Sequence, residues 1–575
     1  MYLLAIWSAI EVVFSWYYQW LAHKVQPVAP PSEMKHDDLS NIFIRLLRAG
    51  AAYAPRRPET DSDWILSSPT RPKHPLRKRG KLNSDLHVPT LATLKEGQQQ
   101  AMADLEAEMD KADKAHSEYL SDEEDDDPLF TPEGKPIELE WDDPKAVEFR
   151  EQLRTWFHHV PWETIGRDDV RTWLAWSCFA MPLEDVQKDA KKYRFLERTA
   201  DMLEARTGGK FPPGRCGCQI MRLTLDPVNV VSRPFLIYAI ANVVNWFLLR
   251  IWYPHKGATI YQEDGIDFVV RIPEGWTPER GRTEPNAMPI VYLHGLGFGL
   301  LQNHLLVKHL VHSLPTHPIL MPLAHHTAQA IFDPRFLKPW NRPQLVSTLV
   351  KACERWGFYD PSKPEGQRGG VSMLSHSNGS VHHGWVLKDA PWLVRRSCFV
   401  DPVVFSLWEG DVCFSFVYRK PRTALEVLLY YFVASEPGIA NYIQRHFNWC
   451  DNTLFFDDIP NANDASKTAF FIGGKDIIID AARTRRYLER NGVKKGLHWD
   501  ANGGHGDGLL GDSRDRVVMF VGTGNTRGWE NWLTRGRRSH SLGQADFPKI
   551  RTALDSIQEA STSGSDSEST MRKRF

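Results

Sequence analysis

A serine hydroxyl is a weak nucleophile until a sharp turn exposes it and a base takes its proton. One stretch of this chain is suited to the first task. Val371-Ser372-Met373-Leu374-Ser375-His376-Ser377-Asn378-Gly379 is a short apolar run ending in a small-His-Ser-x-Gly turn. Small residues two before and two after a serine permit the tight strand-to-helix bend that presents an Oγ. Asp476 lies downstream, at the end of Phe470-Phe471-Ile472-Gly473-Gly474-Lys475-Asp476. His505 follows, inside Asn502-Gly503-Gly504-His505-Gly506-Asp507, where glycines on both sides let the loop reach over the serine turn. A histidine that accepts the serine proton and a carboxylate that orients the histidine are the remaining parts needed for nucleophilic acyl transfer.

The elements that must position these residues follow from the apolar pattern. Residues 258–261 and 268–272 read as a hairpin. Short apolar runs at 290–293, 318–323, 371–374, 397–400, 469–472 and 496–499 read as strands. Helical patterns occupy about 300–314, 343–356, 380–388 and 481–491. Strands alternating with helices of this length imply a mostly parallel sheet covered by helices on both faces, so the expected class is α/β. An aromatic-rich insert over about 405–463 interrupts the alternation where a helical cap would sit.

Over about residues 258–520, with Ser377, Asp476 and His505 in that chain order, the segment resembles the α/β-hydrolase superfamily. Within it, the chain resembles membrane-associated hydrolases of fungi that carry an N-terminal apolar segment. The resemblance implies a triad of Ser377 as nucleophile, His505 as general base and Asp476 as acid. It also implies an oxyanion hole from the turn His294-Gly295-Leu296-Gly297, with Leu296 as the expected N–H donor and Gly297 next to it. Asn378, after the nucleophile, supplies the second N–H. Asp401, in Phe399-Val400-Asp401-Pro402, is the alternative acid, because some members place it one strand earlier, and Asp480 is a third choice. His498 is the rival base, on a strand where a structural histidine is expected. The chain departs from the family pattern at Ser375, which replaces the first glycine of the turn, and His376 fills the turn's free position.

At 575 residues the chain is too long for one ordinary domain. Met1 to Leu21 is nearly continuous apolar sequence of about membrane-span length, rich in aromatic residues and interrupted by Glu11, and is expected to be a membrane anchor helix. Residues 22–140 carry a basic stretch (Arg71 to Lys81) and an acidic run (Asp122 to Asp127) and are expected to be mostly disordered, with helices at 40–47 and 91–120. Residues 141–232 read as a helical scaffold whose third helix spans about 183–207. Residues 233–253 form a second apolar helix that spans, dips into a membrane or packs, with Asn242 and Asn245 arguing against a lipid-facing span. The hydrolase-like domain runs over 258–545, and 556–575 is a Ser-rich tail.

A net charge of −1 gives no electrostatic case for nucleic acid. Seven scattered cysteines do not form a secreted disulfide framework, and Cys216-Gly217-Cys218 lacks further ligands for zinc. The adjacent pairs His325-His326 and His382-His383 point to different sides and do not chelate one metal. There is no P-loop, and Gly522-Thr523-Gly524 lacks a Rossmann context, so neither metal nor cofactor is expected. The expected function is a membrane-associated serine hydrolase of a carboxylic ester. A lipid ester is suggested by the insert residues Leu428, Leu429, Tyr430, Tyr431, Phe432, Phe447 and Trp449. The competing reading is a membrane-tethered scaffold with an inactive hydrolase-like domain. The expected location is an intracellular membrane. Sparse cysteines favour a cytosolic domain, and a second span at 234–253 would place it on the lumenal side.

Overall fold

The computed structural model describes residues 2–28, 36–51 and 136–526. The helix expected at 91–120, both charged runs and the C-terminal tail lie outside the described residues.

Eight strands form one sheet: β1 (Ala258–Glu263), β2 (Ile266–Arg271), β3 (Ile290–Leu293), β4 (Ile319–Leu323), β5 (Val371–His376), β6 (Val394–Val400), β7 (Thr468–Gly473) and β8 (Leu497–Asp500). Their order is β1-β2-β4-β3-β5-β6-β7-β8. β1 and β2 are antiparallel to their neighbours and β3 to β8 run parallel. Asp264 and Gly265 close the β1–β2 hairpin, both at positive φ (45° and 83°), as a two-residue Asp-Gly turn requires. β3, β4, β5 and β7 are buried along their whole length, which is why they read as unbroken apolar runs. This is the α/β-hydrolase fold. Strand register brings the carboxyl ends of β3, β5, β6, β7 and β8 together, with Leu293 beside Ser375, His376 beside Val400 and Gly473 beside Asp500. Ligands bind at such strand ends in open α/β sheets.

The helices are α1 (Tyr2–Lys24), α2 (His36–Ala51), α3 (Pro144–Arg154), α4 (Arg167–Phe179), α5 (Ala190–Thr207), α6 (Phe235–Phe247), α7 (Leu300–Ser313), α8 (Arg342–Arg355), α9 (Gly379–Asp389), α10 (Ala424–Leu429), α11 (Pro437–Arg445), α12 (Ala481–Arg490) and α13 (Gly511–Thr523). The single helix expected over 183–207 is broken. A turn at Leu183–Val186 ends, and Asp189 caps α5 by accepting from the N–H groups of Lys191 and Lys192. The α3–α5 scaffold packs on the insert between β6 and β7. Trp156 Nε1 donates to Trp408 O, Gly410 N to Thr155 Oγ1, and Trp449 Nε1 to Ser177 O. Leu39, Phe43 and Leu47 of α2, which covers the helix expected at 40–47, join the same core.

The two apolar segments are both helical, and both are attached along one side. In α1, Phe14, Tyr18 and Leu21 recur at helical spacing and are buried against Tyr238, Ile331 and Phe336. Glu11 is not a free charge in an apolar helix: its Oε2 accepts from Phe235 N and caps α6 (2.9 Å). Among the described residues, Phe235–His255 is the run long and apolar enough to cross a membrane by length and composition. The N-terminal helix expected as a membrane anchor is present as α1. Its polar and aromatic residues make it less apolar than the run 235–255, and its second half is docked on the body. α6 is docked too: Tyr238 and Ala241 are buried, and Asn242 Nδ2 donates to Tyr238 O and Gln329 O.

α1, α6 and the insert meet at Arg233. Its guanidinium donates to Tyr18 Oη, Ser435 O and Tyr431 O. Tyr238 Oη donates to Glu436, whose carboxyl burial pushes up to about 7.

Candidate active site

Ser377 lies between β5 and α9 with φ at +54°, a conformation that costs a non-glycine residue energy and lifts its side chain out of the turn. The turn is tight enough to exclude any side chain at Gly379, where a Cβ would stand 2.0 Å from Leu293 O. Ser375, in the place of the usual glycine, is buried and hydrogen-bonded to His383 Nδ1 (2.9 Å), whose Nε2 reaches Ser397 Oγ (3.2 Å). The substitution thus fits the turn and adds a polar strut beneath it. Ser380 Oγ donates to Ser377 O (2.6 Å) and accepts from Val403 N (3.1 Å), tying the bend to the start of the insert.

The structure brings Ser377, His505 and Asp476 into one relay. Ser377 Oγ lies 2.8 Å from His505 Nε2, and His505 Nδ1 lies 2.6 Å from Asp476 Oδ2. With the ring proton on Nδ1, Nε2 is free to accept the serine proton. The second oxygen of Asp476 accepts from Ile478 N (2.7 Å) and Ile479 N (3.1 Å), which fixes the carboxylate plane. Burial works to lower the pKa of His505, but the charge of Asp476, its hydrogen bond and the charge of Asp401 outweigh it and hold the ring above its ordinary value.

Asp401 does not bond to His505. At positive φ (43°) after β6, it accepts from Gly473 N at the end of β7 (2.8 Å) and from Gly506 N beside His505 (2.7 Å). One buried carboxylate therefore pins the acid-bearing loop and the histidine-bearing loop to each other. Burial raises its pKa, opposed by the charge of His505 and the two N–H groups. The sequence singled out Asp401 as a substitute acid, and its clamp geometry had no local signal, since its partners are 72 and 105 residues away. Asp480 caps α12 by accepting from Arg483 N, away from the relay.

On the opposite side, the turn after β3 carries Leu296. Gly297 N is already engaged with Thr327 O (3.0 Å). The N–H groups of Leu296 and Asn378 take no acceptor among the described residues. His294 braces the turn, with Nδ1 at Gly295 O (2.8 Å) and Nε2 accepting from Ala324 N (3.4 Å). Asn245 of α6 reaches the same turn: its Nδ2 donates to Phe298 O (3.1 Å) and its Oδ1 accepts from Leu301 N (2.8 Å). The ring of Phe432 packs on Phe298 from the insert (5.9 Å between centroids). Sequence reasoning missed this contact from α6, although two asparagines three apart in an apolar helix were its trace.

The other histidines stand apart from the relay. His376 is buried beside His505, and burial followed by the charges of His505 and His294 lowers its pKa to about 3. His498 stacks on Phe471 (4.4 Å), and burial lowers it to about 4. Of the insert residues read as a lipid wall, Trp449 is buried in the core, whereas Leu428 is exposed.

Asp401, Asp476 and His505 also lie close enough to bind a cation in principle. Every oxygen and nitrogen they offer is already hydrogen-bonded within the protein, Nε2 of His505 to Ser377 Oγ, so the relay and the Asp401 clamp account for the cluster.

No protein-family model and no curated protein matches the chain. Among solved structures it is similar to a meta-cleavage product hydrolase from Pseudomonas fluorescens, at 14% identity over 47% of this chain and 100% of the other, with a TM-score of 0.30. It is similar to a carboxylesterase from Bacillus subtilis at 11% identity, covering 50% of this chain and 97% of the other, TM-score 0.29. A peroxisomal α/β-hydrolase from Saccharomyces cerevisiae is similar at 10% identity over 52% of this chain and 90% of the other, TM-score 0.29.

Proposed function

We propose that the chain is a serine hydrolase that cleaves a carboxylic ester at a membrane, with Ser377, His505 and Asp476 as its catalytic triad. The observation that carries this reading is the continuous relay of 2.8 Å and 2.6 Å from Ser377 Oγ through His505 to Asp476. Ser377 Oγ attacks the ester carbonyl while its proton passes to His505 Nε2. The carbonyl oxygen becomes an oxyanion, which the N–H groups of Leu296 and Asn378 stabilise. Collapse breaks the bond to the leaving alcohol, which takes the proton from His505 and departs, leaving an acyl-Ser377. A water then gives a proton to His505 and attacks the acyl carbon. The second collapse returns the proton to Ser377 and releases the acid. Asp476 keeps the ring oriented and balances its charge when it is protonated.

The apolar helices α1 and α6 and the exposed apolar residues of α10 favour a lipid ester. The test is labelling of the full chain with a fluorophosphonate, beside Ser377→Ala and His505→Ala. Labelling of wild type alone is expected, followed by turnover of acyl esters in a chain-length series. Folded wild type that takes no label would overturn the reading.

A further inference from the structure

The helical run Phe235–His255, which α6 begins, is long and apolar enough to cross a bilayer, yet its two sides are unlike. One side carries Tyr238, Ala241, Asn242, Asn245 and Leu248, which are buried or bonded to the protein body. The other carries Ile240, Val243, Trp246 and Phe247, with Val243 63% and Trp246 58% exposed. A helix held along its length by hydrogen bonds to the loops at 298–301 and 329 cannot be surrounded by lipid. One whose opposite stripe is wholly apolar is suited to lie in an interface plane.

α1 extends the same surface. It packs on α6 through Phe14 and Phe235 (5.4 Å between ring centroids) and leaves Trp7, Trp16 and Trp20 exposed. Phe332, itself exposed, bridges the two helices by stacking on Tyr17 and meeting Phe235 edge-on. Exposed tryptophans on apolar helices are at home at the headgroup level of a bilayer.

Charge selects the occupant. α1 and the run 235–255 contain one carboxylate, Glu11, and it is spent capping α6. Beside α1 runs a groove of about 440 Å³ with Tyr17, Trp20 and Phe336 in its walls and Lys24 and Lys338 on it. Among the described residues neither lysine is in an ion pair, and Lys24 lies 3.8 Å over the Trp20 ring. Asp333, the groove's carboxylate, is paired with Arg335. An aromatic wall with two unpaired ammonium groups is complementary to an anionic lipid headgroup.

We propose that the exposed face of α1 and α6 seats the protein on an anionic lipid surface, with α6 lying in the plane of that surface and Lys24 and Lys338 meeting lipid phosphate or carboxylate. This deepens the membrane part of the proposed function and rests on it only for the identity of the substrate, since docking does not require turnover.

The full chain is tested by sedimentation with vesicles of phosphatidylcholine alone and with about 30 mol% phosphatidylserine. Wild type is expected to sediment with the anionic vesicles. Val243→Asp combined with Trp246→Ser is expected to weaken binding at least about tenfold by removing buried apolar contact. Lys24→Gln with Lys338→Gln is expected to weaken binding to anionic vesicles on the order of 30-fold, about fivefold per lysine, and to leave the neutral ones unchanged. These positions are exposed, so each variant is required to keep the wild-type melting temperature and fluorophosphonate labelling. Labelling also separates failure of docking from failure of the hydrolase reading. The proposal is overturned if wild type stays in the supernatant with both vesicles, or if either double variant binds anionic vesicles as wild type does. It is also overturned if the face instead holds a second copy of the chain: a dimer that Val243→Asp dissociates, with no vesicle binding.

Discussion

The two flanks of Ser377 are built by different means. On the acid–base flank, the ends of β6, β7 and β8 are tied to one another by side chains acting on nearby strand-end backbone. Asp401 holds Gly473 N and Gly506 N, and Asp476 holds Ile478 N and Ile479 N. On the oxyanion flank, the turn after β3 is tied to elements outside the strand ends: Asn245 of α6, the carbonyl of Thr327 and the ring of Phe432. The first flank is set by the sheet. The second is set by how α6 and the insert sit on the sheet, so its geometry is coupled to the apolar face those elements expose.

The sharpest way to break this comparison is at the relay itself. Ser377→Ala or His505→Ala is expected to lower ester turnover by about 10⁶-fold, with folding and vesicle binding retained. Asp476→Asn should cost about 10⁴-fold, because the ring then favours the wrong tautomer while staying in place. Steady-state rates on a soluble ester, with circular dichroism of each variant, check both. If Asp476→Asn leaves turnover intact while Asp401→Asn abolishes it, the two carboxylates have been assigned in the wrong order.

The oxyanion flank should fail more gently. Asn245→Ala removes the side chain that holds Phe298 O and Leu301 N, so the turn bearing Leu296 loosens without losing its N–H. Losing a whole oxyanion donor typically costs about 10²–10³-fold, so a misplaced one is expected to cost about tenfold. The loss should fall on kcat with KM little changed, because the contact strengthens only as charge develops on the carbonyl oxygen. A purely structural role would instead lower the melting temperature and leave kcat per labelled site unchanged. Titrating active sites with the fluorophosphonate separates the two.

Legibility in the sequence divided along the same line. The inner strands β3, β4, β5 and β7 announced themselves because each is buried on both faces and reads as an apolar run, as in Val371–Leu374 and Ala469–Ile472. Ser377, Asp476 and His505 stood out because each ends such a run or sits among glycines, and the structure places them within hydrogen-bonding distance. What was hidden depended on contacts distant in sequence. Glu11 read as a costly charge in a span, and its partner Phe235 N is 224 residues on. Residues 183–207 read as one helix because the local pattern tolerates it, and Asp189 acting as a cap divides it. Whether 234–253 packs or spans could not follow from hydropathy, since a one-sided docked helix and a span share composition; Asn242 and Asn245 mark the docked side.

The smallest expected effect tests the electrostatic half of the acid–base flank. His505 must be neutral to accept the Ser377 proton, so activity should rise with pH through its pKa, and that pKa is held above the ordinary value of 6.5. Asp401 contributes to that elevation through its charge, after Asp476. Asp401→Asn removes the charge and keeps an oxygen that can still accept one of the two N–H groups. The midpoint of the pH–rate profile should therefore move downward, because less negative charge favours the protonated ring less. At pH well above both midpoints the variant should keep activity within about tenfold of wild type, the remaining loss coming from the weaker clamp on Gly473 and Gly506. Asp476→Asn, by contrast, should lose activity at every pH. A midpoint that stays put in Asp401→Asn, together with a lower plateau, would make Asp401 a mechanical clamp alone. A midpoint that moves down with the plateau kept would show that the two carboxylates divide the work, Asp476 orienting the imidazole and Asp401 setting the pH at which it acts.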